Sequence, residues 1–256
     1  MENILTLVSL DTGPHFLATC LIFLLAGAVK GAIGLGLPTV AVGMLSLLMS
    51  PMEAAALLIV PSFFTNIWQL LAGPDFSGLL RRFWTMLLGV CVGTFAGAAL
   101  FAQVHAGWAA AGLGLALMAY ALMGLASVHW QLAGGAERWL APVIGAVTGM
   151  LTSFTGVFVI PAVPFLQALG LNKDELVQAM GLAFTVSTIA LAASLAYAGA
   201  LHAESAGASF FALLPSMTGM LLGQWLRRRM NAVLFRRCFF AGLLALGGHF
   251  VWHFFA

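Results

Sequence analysis

Lys30 and the residues that follow it carry the first recognisable chemistry. The stretch Gly31-Ala32-Ile33-Gly34-Leu35-Gly36-Leu37-Pro38 interrupts one apolar run, and Thr152-Ser153-Phe154-Thr155-Gly156-Val157 interrupts another. A helix that starts at such a break presents unpaired N–H groups and the positive end of its dipole, which is an anion site needing no metal. Glycine lets the ligand approach the backbone closely. Gly34, Gly36 and Pro38 form this feature in the first half. Ser153, Thr155 and Gly156 form it in the second, where the two hydroxyls are expected to add donors. Lys30 would add full positive charge, although it lies near the end of its run and snorkelling to the interface is the competing reading.

Two polar faces accompany the breaks. Ser62, Asn66 and Gln69 recur at spacings of four and three, so they share one helical face. Gln178, Gly181, Thr185 and Thr188 share another. Both faces are expected to point inward, either lining a path or joining helices by hydrogen bonds.

The elements that position these residues must lie in a membrane. Of 256 residues, 62% are hydrophobic and 7% charged, with mean hydropathy +1.06, far from the roughly 25% charge of a soluble domain. A water-soluble enzyme is excluded. A net charge of +2 gives no footprint for nucleic acid. Cys20, Cys91 and Cys238 sit in apolar runs, without disulfide or zinc spacing. His249 and His253 are four apart but lack a partner of comparable spacing, so no metal and no cofactor is expected. The first residues carry no Lys or Arg ahead of the first apolar run, and the first segment is expected to stay in the protein.

Ten helical segments are predicted, at about 15–35, 38–50, 52–72, 79–103, 106–127, 139–155, 157–170, 174–200, 207–226 and 232–254. The second and seventh are too short to cross a core of ~30 Å. The halves also repeat. Gly27-x-x-x-Gly31 matches Gly145-x-x-x-Gly149, Ser50 to Glu53 matches Asn172 to Glu175, and Gly93-x-x-x-Gly97 matches Gly219-x-x-x-Gly223, in one order. The middle pair has the form of a capping box, an N-cap side chain with Glu three residues on. The glycine pairs read as intrachain packing, with a homodimer interface as the alternative.

The fold class predicted is therefore an all-α polytopic membrane protein. It is an inverted repeat of two five-element halves, 1–130 and 131–256, each beginning with a short or re-entrant helical hairpin. Ten segments place Arg81, Arg82, Arg138, Lys173 and Arg227 to Arg229 on one side, which the positive-inside rule makes the inner one. Both termini then lie outside. Short interrupted segments in matching places point to a transporter site at the repeat interface. No phosphate-binding loop is present for ATP, and Glu53, Asp174 and Glu175 sit at helix starts rather than along a proton path. A membrane potential of ~2.3 kcal/mol per charge per 100 mV would suffice to drive anion export by rocking of the halves. An anion channel is the alternative reading, and a membrane-embedded redox or metal protein a weaker one.

At these residues the chain resembles the TauE/SafE family of membrane permeases, or sulfite exporters. Gly27 to Pro38 is similar to the family's first glycine-rich motif, and Gly156 to Pro164 followed by Asp174 to Thr188 is similar to the second. The resemblance implies a bacterial inner-membrane secondary transporter for sulfite, organosulfonates or similar small anions, most often an exporter. The breaks and polar faces together give the expected substrate-binding residues as Lys30, Gly34, Gly36, Pro38, Asn66, Ser153, Thr155, Gly156, Gln178, Thr185 and Thr188.

Overall fold

A computed structural model describes residues 13–101, 105–126, 132, 135–201, 203–227, 229 and 232–255. Those residues form ten helices in chain order: α1 Gly13–Ile33, α2 Leu37–Leu45, α3 Pro51–Leu71, α4 Phe76–Phe101, α5 Ala106–Ala126, α6 Ala136–Thr155, α7 Ala162–Ala168, α8 Lys173–Tyr197, α9 Ala203–Arg227 and α10 Ala232–Phe255. No strand occurs among the described residues. Six of the helices, α1, α3, α4, α5, α8 and α10, are long and apolar enough to cross a membrane, so the chain is a multi-pass membrane protein. His129, His202 and Arg228 lie outside the described residues.

Both predicted breaks are present. α1 ends at Ile33 and α2 begins at Leu37; α6 ends at Thr155 and α7 begins only at Ala162. The short arms are shorter than expected, nine residues and seven. Pro161 explains the second difference, because a residue before proline is pushed toward extended backbone. Val157, Phe158 and Val159 accordingly run without helix, and each is buried in protein, where irregular backbone is tolerated at membrane depth. Both capping boxes form: Ser50 accepts from the Glu53 amide at 3.4 Å while Glu53 accepts from that of Ser50 at 2.8 Å. Asn172 and Glu175 repeat the exchange at 2.9 and 3.1 Å.

The glycine pairs interlock within the chain. A Cβ on Gly27 or Gly31 would strike the carbonyls of Ser216 or Met220, and one on Gly219 or Gly223 those of Leu24 or Ala28. α1 and α9 therefore lie backbone to backbone, ascending together. Gly145 and Gly149 meet Met86 and Val90 in the same way, and Gly93 meets Ala146, which joins α4 to α6. These are small-residue seams, whose energy comes from close backbone packing. The bidentate pair Arg82–Glu137, at 2.6 and 2.7 Å, ties the start of α4 to the start of α6. Each seam joins a helix of the first half to one of the second.

Directions follow from the contacts. α3 ascends with α1, since Lys30 meets Asn66 and Gly34 meets Gln69. α8 runs against α3, with Gln178 beside Leu70 and Thr188 beside Ser62. α10 runs against α5, with Phe240 beside Gly124 and Phe254 beside Trp108. Every Lys and Arg of the described residues then falls at one end of the bundle. This includes Arg236 and Arg237 in the second turn of α10, which the loop-by-loop charge reading had not used.

Candidate functional site

α3 and α8 cross at the centre of the polar cluster. Pro61 has no N–H, so the Leu57 carbonyl loses its helical donor. Ser209 of α9 replaces it, donating to Leu57 O at 2.8 Å and accepting from Val60 N at 3.0 Å. Beyond this repaired turn α3 carries Ser62, Thr65, Asn66 and Gln69, all buried.

Lys30 enters from α1. Its side chain is 3% exposed, which removes the snorkelling reading. The ammonium donates to Thr65 Oγ1 at 3.0 Å and to Asn66 Oδ1. Asn66 Nδ2 donates to Ser62 Oγ at 3.0 Å and to Thr188 Oγ1 at 3.4 Å. Thr188 spends its proton on Phe184 O, so Ser62 is the donor in its 3.3 Å contact with Thr188. Thr65 spends its own on the Pro61 and Ser62 carbonyls. The network is thus oriented throughout. An ammonium has three donors; two are taken, both by neutral groups, and no carboxylate of the described residues pairs with Lys30. A buried charge in that state is costly unless something compensates it.

Of the residues expected to bind, Lys30, Asn66 and Thr188 come together. Gly34 stands beside them, its carbonyl accepting from Gln69 Nε2 at 2.6 Å. Thr185 lies one turn before Thr188 and gives its proton to Gly181 O. Gln178 does different work: it donates to Leu70 O at 3.0 Å and accepts from Asp75 N at 2.9 Å, clamping the α3–α4 connection. Gly36 caps the start of α2 against Val29 and Phe239, an apolar setting, and Pro38 is buried in the first turn of that helix.

Ser153, Thr155 and Gly156 are elsewhere. Gly156 abuts Ala55 and Pro51 at the start of α3, whereas Gly34 faces Gln69 near its end. At 1.5 Å per residue the two breaks are about 20 Å apart along α3, so they do not share a cavity. Nor are the two hydroxyls free donors. Ser153 gives its proton to Met150 O and Thr155 to Leu151 O, the local bonding common for Ser and Thr inside helices. Thr65 stands three residues after Ser62 and four before Gln69, on the same face, but only the parallel packing of α1 on α3 makes it a partner of Lys30.

His249 and His253 stack edge to face at 4.7 Å on an exposed side of α10. Among the described residues no group of three or more His, Cys, Asp or Glu side chains is placed to hold a metal. All three cysteines are free thiols.

The described residues, ten helices with apolar exteriors, two interrupted hairpins and a buried lysine, define a polytopic membrane protein. The chain matches the family model described as Sulfite exporter TauE/SafE over residues 19–250, nearly its whole length, and belongs to that family. No curated protein and no solved structure matches it.

Proposed function

We propose that this protein is a secondary transporter that exports a small oxyanion, such as sulfite or an organosulfonate, and pairs it with the ammonium of Lys30. One observation carries the reading: a buried Lys that, among the described residues, has only neutral partners and a third donor unspent. An arriving anion neutralises that charge where water cannot. The half-helix N-termini contribute less than the motifs imply, since α2 begins against Val29 and Phe239 and α7 has only seven residues.

The two halves are read as an inverted repeat. Supporting this are the opposed directions of α3 and α8 and of α5 and α10, together with the equivalence of the α1–α9 and α4–α6 seams. The end that gathers Lys and Arg is the cytoplasmic one by the positive-inside rule, in a bacterial inner membrane. Alternating access then needs moving bodies other than 1–130 and 131–256, because rocking those halves would slide both glycine seams. Pro61 and its Ser209 patch supply a bend in α3 just before the site.

The test is electrogenic anion flux in proteoliposomes under an imposed potential. Unaltered protein should carry sulfite, and Lys30→Met should lower the flux about a hundredfold, the order that ~3 kcal/mol for one buried charge pair gives. Undiminished flux in Lys30→Met sinks the reading. Unitary current steps in a planar bilayer would replace the carrier by a channel.

A further inference from the structure

Gln69 is one turn beyond Asn66 on the same face of α3, buried, where α3 meets the end of α1. Its Nε2 donates to the Gly34 carbonyl at 2.6 Å, which fixes the amide's orientation, since a carbonyl accepts only from the NH2 side. Its Oε1 is buried and has no partner among the described residues. A buried acceptor left unmet is as unfavourable as a buried donor left unmet. The contact of α1 with α3 therefore carries two unspent groups of opposite kind: one N–H of Lys30, and Oε1 of Gln69. Every hydroxyl around Lys30 and Asn66 is already committed, with Thr65, Thr185 and Thr188 bound back to their own helix.

A fully deprotonated, donor-free anion answers Lys30 alone. From this we infer that the transported anion carries its own hydrogen-bond donor, an O–H or N–H on the molecule that bears the negative charge, and that Gln69 reads it. A hydroxyl suits the amide edge well, because it donates to Oε1 and accepts from the second Nε2 hydrogen. The inference rests on the Lys30 anion site and adds a specificity-determining residue to it. Gly34 contributes by having no side chain where the ligand would pass, as nothing approaches its Cβ position closer than Gln69 Nε2 at 3.8 Å.

Two sulfonates that differ by one hydroxyl test it, ethanesulfonate and 2-hydroxyethanesulfonate, each titrated calorimetrically into the purified full-length protein at one pH. The hydroxylated ligand should bind about tenfold more tightly, the order expected when a buried polar group is met or left unmet. In Gln69→Met that ratio should fall toward one. The ratio is taken within each protein, so a general loss of stability cancels. Equal binding of the two ligands by the unaltered protein overturns the role of Gln69 and leaves the anion site standing. Binding of neither ligand, or undiminished binding by Lys30→Met, overturns both.

Discussion

After α1 the chain turns through Gly34 and Gly36, at φ +86° and +108°, and the turn sits one helical turn from a buried cation and a buried unmet amide oxygen. After α6 it turns through Gly156, at φ +72°, where an added Cβ would lie 2.7 Å from the Cβ of Ala55 and 3.4 Å from the carbonyl oxygen of Pro51. Both breaks need left-handed backbone, so both need glycine. Only the first lies against groups with unspent bonding capacity. The two breaks are alike in backbone and differ in the side chains that face them, polar and partly unmet at the first, tightly packed at the second. With Gly31 laid on Gly149, Lys30 falls on Thr148, whose hydroxyl is bound to Ile144 O.

Adding a methyl to each break sharpens this contrast most. Gly36→Ala and Gly156→Ala each force an L residue into left-handed backbone, at a cost of about 1–2 kcal/mol. Gly156→Ala should lose more than that, because Ala55 must move as well. Thermal unfolding in detergent should show both losses, while anion flux per folded molecule should fall several-fold for Gly36→Ala, through Val29 beside Lys30, and stay unchanged for Gly156→Ala. Equal flux defects would erase the distinction between the breaks.

Gln178 tests whether a buried amide near the first break must be a ligand. It spends its oxygen on Asp75 N and its nitrogen on Leu70 O, so Gln178→Leu strands two backbone groups, for about 1–3 kcal/mol. Stability measured by chemical denaturation should drop by that amount, and the ligand ratio that Gln69 controls should hold. A change in that ratio would move Gln178 into the site.

Much of this architecture was readable from residue types. Glycines four apart announced close backbone packing, and both seams are found where they stand. Ser50 with Glu53 and Asn172 with Glu175 announced two helix starts that the structure places at Pro51 and Lys173. Asn66 and Thr188, aligned by the repeat offset, touch across the α3–α8 crossing. What was not readable depends on which helices become neighbours. An apolar run such as 157–160 has the same composition whether it is helical or extended and buried, so α7 was drawn too long. The parallel packing of α1 on α3 decides that Lys30 points inward and that Thr65 meets it, and no periodicity within one helix encodes that. The hydroxyls of Ser153 and Thr155 looked available because composition does not say whether a proton is already given to the preceding turn.

Thr155 makes the last point measurable, with the smallest effect. Its hydroxyl donates to Leu151 O at 2.7 Å and accepts from Val157 N at 3.2 Å. Thr155→Val keeps the shape and removes both bonds. The Leu151 carbonyl keeps its helical donor, the Thr155 amide, so only the buried Val157 N–H is stranded, for about 1–2 kcal/mol. Stability should fall by that much and sulfite flux should remain within about twofold. If Thr155 were a ligand the signs would exchange, with flux falling tenfold or more at nearly constant stability. That outcome would restore the second break as a binding element and require an anion to bridge two points about 20 Å apart along α3, which no single small oxyanion spans. The two breaks would then have to serve as successive stations for the anion, the first under Lys30 and Gln69 and the second at the opposite end of α3.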